Sequence, residues 1–181
     1  FKEASKILGD IKNIGVEGQK IRFFETQAFK ENFKEIEIIN SHKEISSIRL
    51  NKEQDEINIL KEAIKISEKS LESTLNYIKL GMSELQVKQF LMQELYKNGA
   101  EGLSFDPIVL TGPNSAIPHG HSSNQNMIRQ GDTLLFDFGA TIKGYKADIT
   151  RTFFMIEADD FQRKAYETVR QANEIGIQKS K

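Results

Sequence analysis

The chain has 181 residues, 38% of them hydrophobic, and its 25 Lys and Arg against 26 Asp and Glu give a formal net charge of -1. This length suffices for one ordinary domain, or one domain and part of another, and the balanced charge, without an extended basic block, excludes a typical nucleic-acid-binding protein. The absence of cysteine excludes disulfides and thiolate metal sites, and no apolar run approaches the ~20 residues that a membrane span needs, so we expect no membrane partner.

The first 50 residues have the pattern of the end of an α/β unit. We expect a strand near Asn13–Val16, a helix near residues 27–33 and a strand near residues 35–39. His42 stands alone after that strand, where a surface or helix-start histidine is expected rather than a ligand. Phe1 is not a natural translation start and no signal peptide follows it, so we expect a cytoplasmic fragment of a longer protein.

Two amphipathic helices are predicted next. The first, over residues 52–79, begins after a capping pattern at Asn51 and Gln54. The second begins with a capping box between Ser83 and Gln86 and ends at Asn98-Gly99. Their apolar stripes indicate core contacts, and a partner-binding surface is the alternative.

The pattern then changes from helical to extended. Residues 105–111 predict a strand, residues 112–114 a turn, and the segment to residue 126 is polar and irregular. After Ala158 a last helix is predicted, with Asp159 or Asp160 as its cap. Its apolar stripe, which we expect to be buried, consists of Phe161, Ala165, Val169 and Ala172.

Residues 134–154 predict a β-hairpin that carries two aspartates, Asp137 and Asp148. If the turn is centred on Lys143-Gly144, the two residue numbers of every cross-strand pair add up to 287. Asp137 therefore faces Thr150. Both carboxylates then share one face of the ribbon. The opposite, core-facing side is lined by Phe136, Phe138, Ala140, Ala147 and Ile149.

Two carboxylates this close favour a cation between them. At a separation of ~4 Å and an effective dielectric constant of ~20 they repel by roughly 4 kcal/mol. Oxygen ligands favour manganese, magnesium or a similar ion, and zinc or cobalt only if a histidine joins them. The alternative is an ordinary exposed ion pair between Lys146 and Asp148.

A second segment, residues 114–121, places His119 and His121 in a loop before the strand of Asp137. A histidine there could donate a hydrogen bond to a substrate carbonyl or bind a metal. Taken alone, two histidines one residue apart are a weak signal and favour ordinary loop histidines satisfied by nearby backbone groups.

Together these segments closely resemble the pita-bread metallopeptidases, and most of all the Xaa-Pro aminopeptidases and prolidases. The resemblance covers about residues 48–170, and residues 1–47 look like the end of the N-terminal domain of such proteins. It is carried by Ile48–Ala63, Ser104–His119, Gly131-Asp132, Asp137-Phe138-Gly139, Gly144-Tyr145 and Ala147–Phe153. It implies an α+β fold in which residues 48–181 form the first half of a pita-bread domain, after an α/β remnant.

The resemblance also implies roles for individual residues. Asp137 would bind one metal of a dinuclear centre, Asp148 would bridge both, and His119 would hydrogen-bond the substrate. Thr150 would hold a ligand carboxylate in place, whereas His121 matches no family position and its role stays open. The metals would be two divalent ions, manganese first, with cobalt or zinc as alternatives.

The remaining family ligands, one histidine and two glutamates, belong to a second half that is absent from this sequence. We therefore expect the parent protein to hydrolyse the bond between an N-terminal residue and proline, as a homodimer, and this fragment alone to be inactive. The alternatives are a catalytically silent pita-bread binding module and a metal-independent hydrolase similar to creatinase. Retention of both aspartates disfavours these alternatives.

Overall fold

The computed structural model describes residues 1–33 and 35–180. The chain forms two compact units, Phe1–Glu53 and Gln54–Lys181. The assignment of residues 1–47 to an N-terminal domain and of residues 48–181 to a catalytic half-domain stays a prediction. Within the described residues, no helix is both long and apolar enough to cross a membrane.

The first unit is a small βαβ arrangement. Its parallel strands pair in register, with Asn13 opposite Glu37, and the helix between them makes the crossover that parallel strands require. His42 is the first residue of a helix, as predicted. The elements are α1 (Lys2–Leu8), β1 (Asn13–Val16), α2 (Phe23–Asn32), β2 (Glu37–Asn40) and α3 (His42–Leu50).

The second and third helices of the second unit begin at their predicted caps, whereas the first begins at Gln54, two residues after its predicted start, because Asn51 ends the preceding helix instead of capping this one. The Ser83 hydroxyl accepts the backbone N–H of Gln86, whose side chain accepts the N–H of Ser83. Asp159 and Gln162 form the same capping box at the last helix. The helices are α4 (Gln54–Tyr77), α5 (Glu84–Lys97) and α6 (Asp160–Lys179).

The described part of the second unit contains the strands β3 (Gly102–Leu103), β4 (Ile108–Thr111), β5 (Thr133–Phe138), β6 (Ala140–Ile142), β7 (Tyr145–Lys146) and β8 (Ile149–Phe154). These six strands form two antiparallel sheets of three strands each, in the orders β3-β6-β7 and β4-β5-β8. A 3-10 helix, Gly112–Ala116, follows the second of these strands, where the sequence predicted a turn.

The predicted hairpin register is confirmed. Lys143 and Gly144 both have positive φ, 48° and 80°, as a two-residue type I′ turn requires, and Asp137 pairs with Thr150. The strands approach so closely at Gly139 that a Cβ there would lie 1.8 Å from the Ala147 carbonyl oxygen. Only glycine fits this position without separating the strands. All five residues predicted to face the core are buried.

The core lies between the sheet of β5 and the helices α4 and α5. Leu91, Leu95, Phe136 and Phe138 are fully buried at its centre. The fully buried side of the long helix α4 consists mainly of small residues. Of its predicted stripe of large apolar residues only Leu71 is buried, while Leu75 and Ile78 are half-buried and pack against the core. The buried residues of α4 are Ala63, Ser67, Ser70, Leu71 and Thr74.

The prediction of a buried stripe on α6 was wrong. This helix has no buried residue, and Phe161 and Val169 are 80% and 69% exposed. Its described contacts include the Gln162 amide donating to the Gly131 carbonyl at 2.8 Å and the Tyr166 ring packing edge-on against Phe154. In the chain that the structure describes, no layer covers the apolar side of α6, so its pattern does not lead to burial.

Candidate metal centre

Asp137 lies near the end of the central strand of its sheet. Its neighbours across the sheet are Ile108 on β4 and Thr150 on β8. Because Phe136 and Phe138 on either side point into the core, Asp137 must point to the other face, where it is half-buried. The Thr150 hydroxyl donates a hydrogen bond of 2.8 Å to Asp137 Oδ1.

Asp148 immediately precedes β8 and is exposed. Ala147 and Ile149 beside it are buried, so the alternation of side chains directs Asp148 to the same face as Thr150 and Asp137. The alternative partner, Lys146, instead donates from Nζ to the Ser104 carbonyl oxygen at 2.9 Å. Within residues 1–33 and 35–180, the Asp148 carboxylate has no hydrogen-bond or ion-pair partner.

A pocket of about 310 Å³ lies against this face of the sheet. It brings together three of the four residues that the sequence placed at the site, namely His119, Asp137 and Thr150, whereas Asp148 and His121 do not line it. The other lining residues are Ile108, Leu110, Ser115, Ala116, Ile117, Pro118 and Leu135. A carboxylate, a hydroxyl and an imidazole therefore face one space with partly apolar walls.

His119 occupies a tight turn with an unusual backbone. Its φ of 54° lies in the left-handed region, which non-glycine residues adopt at a cost and which often marks functional sites. The turn is closed by the Gly120 N–H, which donates to the Ile117 carbonyl at 3.1 Å. The imidazole is exposed and, among the described residues, has no hydrogen-bond partner, so the loop backbone alone sets its position.

The donor set fits part of a site for a hard divalent cation. Asp137 and Asp148 offer carboxylate oxygens, the ligands preferred by such ions. Among the residues that the structure describes, no group of three or more His, Cys, Asp or Glu side chains could hold a metal. These two aspartates therefore provide an incomplete coordination sphere.

Two features of the site were missed from the sequence. Leu135 lies on the same face of β5 as Asp137, and this apolar residue on an otherwise polar face could have indicated a pocket wall. Glu84 is a fully buried carboxylate at the first position of α5, next to the loop of His119. The signal in the sequence was an ordinary first-turn glutamate, which indicates only a helix start.

The comparisons with known proteins identify the family. The model of metallopeptidase family M24 matches residues 58–181. An uncharacterized peptidase of Bacillus subtilis, YqhT, is 33% identical over 92% of this chain and 47% of its own length. A Xaa-Pro dipeptidase of Pyrococcus furiosus is 32% identical over 100% of this chain and 51% of its own length.

Solved structures agree in fold. The X-Pro aminopeptidase of Thermotoga maritima superimposes with a TM-score of 0.86 at 34% identity, covering 96% of this chain and 49% of that one. A Xaa-Pro dipeptidase of Bacillus anthracis gives a TM-score of 0.86 at 38% identity, covering 94% and 47%. The chain thus spans about half the length of these relatives.

These matches confirm the predicted α+β fold of the pita-bread type. They also confirm the family to which the sequence motifs pointed, because the matched residues 58–181 include both aspartates and His119. The chain belongs to metallopeptidase family M24.

Proposed function

We propose that the full-length protein hydrolyses the peptide bond between an N-terminal residue and a following proline, using two divalent metal ions. The observation that carries this proposal is the hairpin register, which directs Asp137, Thr150 and Asp148 to one face, beside the pocket that His119 lines. Membership of a metallopeptidase family supports the hydrolysis. The Xaa-Pro specificity named for several relatives supports the choice of substrate.

In this proposal Asp137 and Asp148 would hold the metal ions through their carboxylate oxygens, Asp148 being the ligand that both ions would share. The Thr150 hydroxyl, by donating to Asp137 Oδ1, leaves the other oxygen of that carboxylate oriented for a ligand bond. When bound, the metal pair supplies Lewis-acid activation of water and of the peptide carbonyl.

His119 donates a hydrogen bond to the carbonyl oxygen of the substrate, where negative charge develops during hydrolysis. The Ile108, Leu110 and Leu135 side chains in the same pocket exclude water from the peptide. The bond to proline is a tertiary amide without an N–H, so a site for it cannot rely on gripping that donor. Contacts with the carbonyl oxygen and with apolar surface fit this requirement.

The metal proposed first is manganese, because both described ligands are carboxylates. Cobalt or zinc are the alternatives if a histidine joins them. The described part of the chain offers only this incomplete ligand set. The 181-residue chain alone is therefore expected to bind metal weakly and not to turn over substrate. The homodimer and the cytoplasmic location stay predictions.

The test is hydrolysis of a Xaa-Pro dipeptide by the full-length protein, beside the matched Xaa-Ala dipeptide. We expect cleavage of the proline substrate, loss of activity with a chelator and recovery with Mn²⁺. Asp137→Asn should abolish the activity. Asp55→Asn is the control, since Asp55 is exposed and lies on α4, outside the pocket.

Two results would argue against the proposal. Hydrolysis that survives both the chelator and Asp137→Asn would show that the reaction does not use this centre. A full-length protein that binds no metal and cleaves neither dipeptide would favour the silent binding module instead.

A further inference from the structure

The carboxylate of Glu84 lies beneath the loop that carries His119. Its side chain is 0% exposed, and no Lys or Arg pairs with it in the part of the chain that the structure describes. A buried carboxylate without a cation is costly unless hydrogen bonds replace its water. Glu84 meets this condition entirely with neutral donors.

These donors come from both ends of the loop. On the side before His119, the Thr111 N–H donates to Oε1 at 2.8 Å, and the Asn114 amide donates to Oε1 at 2.8 Å and to Oε2 at 3.0 Å. On the side after His119, the Ser123 N–H and the Asn126 amide each donate to Oε2 at 3.0 Å. One carboxylate thus closes the segment of residues 114–123.

The start of α5 reinforces the same closure. The first backbone N–H groups of a helix lack partners within the helix. Here the Glu84 N–H donates to the Asn126 carbonyl at 3.1 Å and the Leu85 N–H to the Ser123 carbonyl at 3.3 Å. The helix start therefore holds the later half of the loop through backbone and side chain together.

We propose that Glu84 is a positioning residue that holds the strained turn at His119 against the pocket. The His119 imidazole has no hydrogen bond of its own among the described residues, so its place depends on how residues 114 and 123 are fixed. This inference rests on the proposed function, in which His119 donates to the substrate carbonyl. Glu84 itself contacts neither the pocket nor the aspartates.

The test variant is Glu84→Gln in the full-length protein. Glutamine has the same shape, but its NH₂ group is itself a donor. It cannot accept the hydrogen bonds that the replaced carboxylate oxygen receives. The matched control is Glu94→Gln. Glu94 is buried on the same helix, 6% exposed, but its carboxylate bonds Lys97 at 2.7 Å, away from the loop.

We expect Glu84→Gln to lower kcat for a Xaa-Pro dipeptide about 10- to 100-fold, because a misplacement of about 1 Å can cost about 10²-fold. Metal content should not change, and Glu94→Gln should leave kcat unchanged. In a His119→Ala background, Glu84→Gln should lower kcat by less than about a further twofold, since the imidazole that Glu84 positions is gone. An equal loss of kcat in both backgrounds would overturn the proposal.

Amide hydrogen exchange gives a readout independent of activity. We expect residues 112–126 to exchange faster in Glu84→Gln than in Glu94→Gln, and unchanged exchange there would also overturn the proposal. If the wild-type protein cleaves no Xaa-Pro dipeptide, the proposed function fails while exchange still decides whether Glu84 holds the loop. If Glu84→Gln does not fold, Asn114→Ala removes two of the contacts and should accelerate exchange in the same residues.

Discussion

The carboxylates of Glu84 and Asp137 belong to the same unit but have opposite surroundings. Glu84 is fully buried, and four donor groups occupy its two oxygens. Asp137 is half-buried and accepts one side-chain hydrogen bond, from Thr150, and Asp148 is exposed. A carboxylate has about four acceptor sites, so Glu84 has none left for a cation, whereas Asp137 and Asp148 do.

This difference separates two roles for acidic residues near one site. A carboxylate saturated by neutral donors fixes the backbone that supplies those donors. A carboxylate held by one hydroxyl at a pocket is oriented and still open to a ligand. Substitutions at the two kinds of carboxylate should therefore have different effects.

The largest effect is expected from Asp148→Asn in the full-length protein. The neutral amide offers one ligand oxygen in place of two and lacks the negative charge that would hold two cations, so dinuclear metal binding and Xaa-Pro hydrolysis should be lost. Thermal unfolding of the metal-free protein should hardly change, because Asp148 is exposed and has no described partner. Normal hydrolysis by this variant would show that the bridging ligand is wrongly assigned.

A loss of about 10² or more in turnover is expected for His119→Ala, as for removal of one transition-state donor. Metal content should stay at the wild-type level, because His119 is proposed to contact substrate and not metal. His121→Ala is the matched comparison, since this exposed histidine of the same loop does not line the pocket. Equal effects of the two substitutions would remove the special role of His119.

Thr150→Val should have a smaller effect, because it removes only the hydrogen bond to Asp137 Oδ1. We expect metal affinity, measured by calorimetric titration, to fall about 10- to 100-fold, as is typical when a group that orients a ligand is lost. Thr152→Val on the same strand is the control, since Thr152 makes no described side-chain hydrogen bond. Unchanged affinity in Thr150→Val would mean that Asp137 needs no such support.

The smallest effect is expected at Glu167, a half-buried carboxylate on α6 that pairs with Arg170. Hydrogen bonds from Arg170 and Gln171 lower the pKa of Glu167 from 4.5 to about 2. A lowered folded-state pKa means that the ion pair stabilises α6 above about pH 4.5, and that this contribution disappears as the pH falls to about 2.

Glu167→Gln should therefore make the helical circular dichroism signal slightly less sensitive to pH in this window. Glu72→Gln, at an exposed glutamate of α4, serves as the control and should retain the wild-type acid profile. A Glu167→Gln profile identical to wild type would show that the Arg170 pair contributes nothing measurable to α6.

Local chemistry made the hairpin and the helix starts predictable. The Lys143-Gly144 turn and the alternation around Asp137 set the register, and the capping boxes at Ser83 and Asp159 set two helix boundaries. Glu84 could not be predicted in this way, because its donors lie 27 to 42 residues away in the sequence. Such long-range contacts leave no periodic signal.

The helix faces show a second limit. Apolar periodicity favours large residues, but α4 buries Ser67, whose hydroxyl accepts the Ala140 N–H at 2.9 Å and donates to the Ala63 carbonyl at 2.8 Å. Small polar residues that satisfy their own hydrogen bonds pack closely against a sheet. In α6 the periodicity is present without burial, because burial also needs a covering element that periodicity does not report.

The most direct test of the central claim, that Asp137 and Asp148 together bind divalent metal, is the metal stoichiometry of the full-length protein. After incubation with Mn²⁺ and removal of free ion, we predict two equivalents per chain in the wild type. The Asp137→Asn/Asp148→Asn double variant, with its fold checked by circular dichroism, should retain none. A wild-type protein without bound metal, or a double variant that keeps both ions, would contradict the account.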